Sequence, residues 1–397
     1  MASLGERALE LVKHLSGEIG PRPAGSEGER RALEYAEGLL RRAGAKVERQ
    51  EVRGIPSPIP LRVVGLVALV GSVWDLRRSP WSVWIYLACF FLLPRLVSAA
   101  RKRLAASSER ASFNLIGRHE AEEERATLIL CAHIDTARAS RVPGEALPRI
   151  HRLLQRAWLP FIALASALAL VRHALGSWLP MPEPLWLVIW RTCFAYAVIF
   201  AAFELGYMAL SWGKGFSPGA NDNASGVAVV LALAERFAVR RPKHLSLLYV
   251  LFTAEEVGLV GSERFAKGWP LDRKSTYAVN LDMVGCGRRL HYVRGSWAFP
   301  PRRTDRRLNG LLRRACPGIR GRWYWVGRSD FYSLLGGGIP ACSLGAEGDR
   351  RRDVVYHTER DTADRVSAEA LELAGSAVEA LVRSLDEISE VSETSEV

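Results

Sequence analysis

In this 397-residue chain, seven residues of types that bind metals or move protons stand where strand-like patterns end: His133, Asp135, Asp222, Glu255, Glu256, Asp282 and His357. Asp222 stands in Gly219-Ala220-Asn221-Asp222-Asn223-Ala224-Ser225-Gly226, a turn of small residues that lets an ion approach its carboxylate closely. Taken singly, each has an ordinary explanation. An Asp before a helix is usually an N-cap. Adjacent glutamates at a turn are usually a solvated helix start. A lone His after a strand is usually a satisfied polar residue. Together they read differently. Two histidines and three carboxylates form an oxygen and nitrogen ligand set suited to zinc, and also to cobalt or manganese. A carboxylate that bridges two metals would hold them about 3.5–4 Å apart, sharing a water whose pKa they lower.

The elements that must position these residues read as α/β. Residues 4–16 and 27–43 have helical periodicity, with the Pro- and Gly-rich loop Gly20-Pro21-Arg22-Pro23-Ala24-Gly25-Ser26 between them. Strand patterns run over 46–52, 113–117 and 126–132, the last delivering His133. A helix over 224–238 follows Asp222. The buried strand 245–252 delivers Glu255-Glu256, a helix follows near 261–267, and the strand 277–281 delivers Asp282. Further strands are expected at 290–293, 323–326 and 340–344, and a last helix at 367–388. In open α/β sheets the carboxyl ends of strands line the ligand crevice.

Two apolar blocks interrupt this pattern. Residues 55–74 and 81–97 form one pair of stretches near the roughly 20 residues that span a bilayer, and 157–179 and 185–212 form another. Their Trp-rich ends and basic flanks favour membrane hairpins over buried helices of an accessory domain. The expected organisation is a catalytic domain in three pieces (1–54, 101–150 and 213–388), hairpins over 55–100 and 151–212, and a disordered acidic tail over 389–397. The second hairpin leaves from beside Asp135 and returns just before Asp222.

The formal net charge is +12. Arg101, Lys102, Arg103, Arg149, Arg152, Arg156 and Lys214 flank the soluble ends of the hairpins, which places the catalytic domain in the cytoplasm by the positive-inside rule. Six scattered cysteines without CxxC spacing fit a reducing compartment. The N-terminus reads as an amphipathic helix rather than a signal peptide. The Arg-rich stretch around residues 302–314 reads as the solvated face of a helix whose apolar side is Leu308, Leu311 and Leu312, and no nucleic-acid motif accompanies it.

Ala132-His133-Ile134-Asp135, the Gly219–Gly226 turn, Phe252-Thr253-Ala254-Glu255-Glu256-Val257-Gly258, Asn280-Leu281-Asp282-Met283-Val284-Gly285 and Tyr356-His357-Thr358-Glu359-Arg360-Asp361-Thr362 together resemble the di-zinc aminopeptidase family, which includes glutamate carboxypeptidases and glutaminyl cyclases. The Gly20–Ser26 loop and Arg328-Ser329-Asp330-Phe331 are also similar, although the family often has His after that Ser-Asp. The resemblance covers about residues 4–54, 111–140 and 213–388; the hairpins depart from it. It implies the zinc-dependent exopeptidase fold, a mixed, mainly parallel sheet flanked by helices. It implies two Zn2+ ions, one held by His133, Asp222 and Asp282, the other by Asp222, Glu256 and His357. Asp135 would accept a hydrogen bond from the far nitrogen of His133. Glu255 would take a proton from the shared water and return it to the leaving amine.

The expected function is a membrane-associated, multi-pass di-zinc aminopeptidase with a peptide substrate and a lipid bilayer as partners. The alternatives are a carboxypeptidase or amidohydrolase on the same scaffold, or a non-catalytic membrane binding module. A transporter is disfavoured, since the apolar segments are few and show no repeated broken-helix pattern. Nothing in the sequence speaks to oligomeric state.

Overall fold

A computed structural model of the chain describes residues 3–54, 111–139, 182–211, 215–298, 300–324, 327–347 and 355–391, with isolated positions between 70 and 172. Its chain divides into two compact units, one of Met1–Ser57, Ala105–Ala139 and Lys214–Val397, the other of Pro58–Leu104 and Ser140–Gly213.

In the first unit, α1 (Leu4–Lys13) starts at Ser3, where Ser3 and Glu6 form a capping box. The chain continues as a wide helical turn to Ile19, and α2 (Glu27–Arg42) starts at Ser26, whose hydroxyl accepts the Glu29 N–H. Strands β1 (Lys46–Arg53), β2 (Ala111–His119) and β3 (Ala126–His133) follow. Helix α3 (Glu183–Ser211) belongs to the second unit. The first unit resumes with α4 (Ser225–Val239), β4 (Leu245–Phe252), α5 (Val260–Gly268), β5 (Thr276–Leu281), β6 (Arg289–Ser296), β7 (Arg302–Arg303), α6 (Arg306–Ala315), β8 (Arg320–Tyr324), α7 (Asp330–Gly336), β9 (Ala341–Glu347) and α8 (Ala368–Val391).

The strand order is β1-β2-β4-β3-β5-β9-β6-β7, with β8 beside β6. The central four, β4-β3-β5-β9, run parallel, and the pairs β1/β2, β2/β4, β6/β9 and β6/β7 are antiparallel. Strands β3 and β4 are buried at every position. Continuous apolar runs are what parallel strands covered on both faces require. Leu128 and Leu130 of β3 face a core with α1, α2, α4, α6 and α8, whereas Ile129 and Cys131 pack with Phe265 of α5 and Phe331 of α7. The sheet is thus mixed, flanked by helices on both faces. Cys131 and Cys342 are free and buried. On α6, Leu308, Leu311 and Leu312 are buried and the arginines are exposed.

Helix α4 begins at Ser225 without a side-chain cap, and Asp222 lies in the preceding turn with non-helical φ −116° and ψ 88°. The N-cap explanation of Asp222 therefore does not hold. Strand β8 starts at Arg320, earlier than expected, and includes Trp323 and Tyr324; the rest of the expected strand, Trp325 and Val326, lies outside the described residues. Helix α8 runs to Val391, through the first residues of the expected tail, and 392–397 lie outside the described residues. The first hairpin lies outside them except for Val70 and Gly71, as does most of 157–179. In the second unit, the stretch Glu183–Gly206 of α3 is long and apolar enough to cross a membrane.

A candidate metal centre at the carboxyl edge of the sheet

Register brings the site together. His133, the last residue of β3, pairs with Phe252, the last of β4, so Glu255 and Glu256 emerge beside it. On its other side β5 is aligned through Cys131 and Asn280, which places Asp282 at the same edge. Ala254, Met283 and His357 have φ of +56°, +55° and +54°, a left-handed backbone that non-glycine residues rarely adopt. Two of them adjoin site residues and one is a site residue. The excursion between Asp135 and Asp222 is closed at its base, where Ala139 N–H donates to Gly215 O at 3.1 Å and Ser217 N–H to Ala137 O at 2.9 Å.

All seven residues singled out from the sequence meet here. Nε2 of His133 lies 3.3 Å from Asp222 Oδ1 and 3.9 Å from Asp282 Oδ1. Nε2 of His357 lies 3.1 Å from Asp222 Oδ2 and 3.2 Å from Glu256 Oε2. In the triads His133/Asp222/Asp282 and Asp222/Glu256/His357 the ligand-type atoms all lie within 4.8 Å of one another, and the same holds for His133/Glu255/Glu256. Asp135 differs in detail from the expectation. Nδ1 of His133 is 3.1 Å from the Asp135 carbonyl oxygen and 3.6 Å from its carboxylate. The carboxylate instead accepts the backbone N–H groups of Glu255, at 3.0 Å, and Glu256, at 3.1 Å. Those amides would otherwise be unsatisfied in the interior, and the carboxylate supplies one acceptor to each.

Residues that the sequence reading did not single out hold the Asp222 turn. Asp361 accepts the N–H of Asn221 at 2.8 Å and of Asp222 at 3.0 Å. Arg22, fully buried, donates to the carbonyls of Pro218 and Gly219, both at 2.9 Å, and of Ile134 at 3.0 Å. Asn223 accepts Gly226 N–H and Met283 N–H and donates to Leu281 O, tying the turn to the Asp282 loop. Away from that turn, Glu29 accepts from Ser112 and from Thr253, two residues before Glu255. The signals for two of these were present: Arg22 stands between two prolines, and Asp361 is four residues after His357 in the same short segment.

The electrostatics favour a cation. Burial raises the Glu255 pKa well above the usual carboxylate range; His133 opposes the shift, and Glu256, Asp330 and Asp282 add to it. Burial likewise raises Glu256 and Asp282. Burial would raise Asp222 too, but His133 and His357 outweigh it and hold this carboxyl below its usual range. Burial opposes charge on both histidines, yet the facing carboxylates raise their pKa values well above the ordinary imidazole range. With Nδ1 of His133 donating to a carbonyl, its Nε2 lone pair faces carboxylate oxygens, an arrangement that needs a proton or a cation between them. Oδ2 of Asp222 and Oε1 of Glu256 are buried without a hydrogen bond of adequate geometry among the described residues. Two imidazoles and three carboxylates with open lone pairs fit zinc.

Comparison with known proteins agrees with the resemblance read from the motifs. Residues 210–382 match the profile of Peptidase family M28. Aminopeptidase YwaD of Bacillus subtilis is 32% identical over 182 residues, 42% of this chain and 38% of its own length. The match thus spans well under half of that relative. Among solved structures, BSAP, a zinc aminopeptidase from Bacillus subtilis, superposes with a TM-score of 0.57 at 16% identity, covering 96% of this chain and 94% of that one. Tannerella forsythia glutaminyl cyclase gives 0.56 at 15%, covering 95% and 97%. At such identities the structural likenesses establish the zinc-exopeptidase fold alone.

Proposed function

From the match of residues 210–382 to Peptidase family M28, we propose that the chain is a zinc peptidase of the aminopeptidase type, hydrolysing the peptide bond next to a free N-terminus. The observation that carries the reading is the pair of ligand-type triads sharing Asp222. His133, Asp222 and Asp282 would hold one ion, and Asp222, Glu256 and His357 the other. Bound zinc supplies Lewis acidity, which lowers the pKa of water and polarises a carbonyl.

The remaining work falls to this chain's own groups. Glu255 lies within the ligand cluster, and burial raises its affinity for a proton, which makes it a stronger base once bound cations keep it ionised. It is suited to take a proton from the attacking water and to pass it to the leaving amine. Asp135 orients Glu255 and Glu256 together, through their adjacent N–H groups. Its carbonyl oxygen accepts from His133 Nδ1, which keeps Nε2 free to ligate.

The same reading makes the chain membrane-associated, with the catalytic domain on the cytoplasmic side. Its support is the apolar length of α3, the apolar block at 55–100 and the basic flanks. The backbone hydrogen bonds between Ala137–Ala139 and Gly215–Ser217 suit an insertion between these two segments.

The test is elemental analysis of detergent-purified protein beside hydrolysis of N-terminally free and blocked peptides, wild type against Glu255→Gln. Two zinc ions per chain, with cleavage of free N-termini lost in the variant, is the expected result. Bound metal with preference for blocked substrates would favour the carboxypeptidase or amidohydrolase alternative. Neither metal nor turnover would leave a binding module.

A further inference from the structure

The net charge of this chain is concentrated in one segment. Between Cys286 and Arg328 stand twelve arginines, no lysine and one acidic residue, Asp305, so this segment alone carries eleven of the chain's twelve net positive charges. Asp305 is engaged as the N-cap of α6, accepting Leu308 N–H at 2.8 Å. The segment builds β6, β7, α6 and β8, the part of the sheet beyond β9. Eleven of the twelve arginines are exposed and Arg302 is half-buried. Among the described residues only Arg322 of the twelve has an ion-pair partner, Glu347. Solubility asks for charge but not for its segregation, and like charges crowded on one edge repel one another.

Both ends of the segment return to the Asp282 side of the site. Arg288 and Arg289 follow the loop that starts at Asp282, and Arg289 of β6 stands opposite Glu347, at the carboxyl end of β9, in the strand register. On that same strand Leu344 O accepts the Asp282 N–H at 3.0 Å. At the other end Arg328 precedes Ser329, whose hydroxyl accepts from Asn280 Nδ2 at 2.9 Å, two residues before Asp282. By contrast, Arg306 starts α6 next to Asp305, whose N–H donates to Ala341 O at the amino end of β9.

Resting on the peptidase reading, we propose that this arginine edge selects acidic peptides, drawing substrates with Asp or Glu downstream of the cleaved bond to the site. Guanidinium groups pair with carboxylates through parallel N–H donors, and a one-signed surface beside a site raises the encounter rate of the opposite charge. A lipid surface would not require the charge to converge on Asp282 from both ends.

The experiment compares kcat/KM for three peptides that share a neutral N-terminal residue and differ downstream in acidic, neutral or basic residues. At low salt the acidic peptide should exceed the basic one by about tenfold or more, and high salt should shrink that ratio several-fold. The triple variant Arg288→Gln/Arg289→Gln/Arg328→Gln should bring the ratio close to one. Arg306→Gln, at the opposite end of β9, should lower it far less. A ratio near one in the wild type, or one untouched by the triple variant, overturns the proposal. So does indifference to peptide charge combined with arginine-dependent binding to phosphatidylglycerol vesicles, which would assign the edge to lipid. Binding of labelled acidic and basic peptides to the Glu255→Gln chain is read separately by fluorescence anisotropy. If no peptide is cleaved the peptidase reading fails, and the anisotropy ratio still decides whether the edge prefers acidic chains.

Discussion

Asp361 holds Asp222 by the backbone rather than by the side chain. Its two carboxylate oxygens accept the N–H groups of Asn221 and Asp222, and its carbonyl accepts that of Ala220 at 3.1 Å. His357, four residues earlier, faces the Asp222 carboxylate. One short segment therefore grips the shared residue of both triads at both ends. Asp361→Asn keeps the volume but places an NH2 against one of the two N–H groups. Zinc affinity should fall about 10–100-fold, as is common when a group that orients ligands is lost. Competition with a fluorescent chelator measures it, and an unchanged affinity would leave Asp361 a merely structural residue.

Arg22 grips the other side of the same turn. Its guanidinium donates to five carbonyls, those of Leu15, Gly20, Ile134, Pro218 and Gly219, while burial lowers its pKa to about 10. Arg22→Met would leave buried carbonyls without donors at about 1–3 kcal/mol each before relaxation. We expect a loss of several kcal/mol or failure to fold. Arg22→Lys, with three donors in place of five, should recover only part of it. Thermal unfolding of the metal-free variants decides.

Gly226 stands in the first turn of α4 where no side chain fits. A Cβ there would overlap the carbonyl oxygen of Leu281 and the side chain of Asn223. Gly226→Ala should push the Asp222 turn off the Asp282 loop, costing about 1–3 kcal/mol by overpacking. Because the two elements carry ligands of one triad, zinc stoichiometry should drop with stability. Gly310, which has open space around its Cβ position, provides the control: Gly310→Ala should leave the stoichiometry intact.

Metal removal should weaken the fold. Asp222, Glu255, Glu256 and Asp282 crowd one edge, and without a cation their repulsion is offset by the facing histidines and by protonation of the carboxyls. Chelation should lower the unfolding temperature, and added zinc should restore it. An ion present at a thousandfold its dissociation constant adds about 4 kcal/mol. Equal melting of the chelated and zinc-loaded chain would contradict the site.

Acid stability should carry a signature of His291. Burial, helped by the nearby Arg322 charge, lowers its pKa to about 4. Above the unfolded value of about 6.5 the ring is neutral in both states and its contribution is complete. As pH falls toward 4 the unfolded chain binds a proton that the folded chain refuses, so stability is lost through this window. The slope is about 1.4 kcal/mol per pH unit. His291→Asn should flatten the change in unfolding midpoint between about pH 6.5 and pH 4.5 relative to wild type.

Much of the site was legible because its residues end apolar runs. The run from Ala126 stops at His133, and that from Leu245 stops just before Thr253 and the Glu255-Glu256 pair. A strand buried on both faces has to stop where charge begins, so strand ends and ligand types coincide along the chain. Strand order was not legible in this way. That β3 lies between β4 and β5, so that His133 stands between Glu256 and Asp282, is decided by pairings far apart in sequence. The same holds for Asp135, whose carboxylate serves amides 120 and 121 residues away rather than the histidine two residues before it. Arg22 and Asp361 stand in motif stretches with no role of their own until the fold surrounds them with the backbone of one turn. Local sequence sets the type of residue and the element that carries it; which buried donor meets which acceptor is settled only when distant segments share one low-dielectric interior.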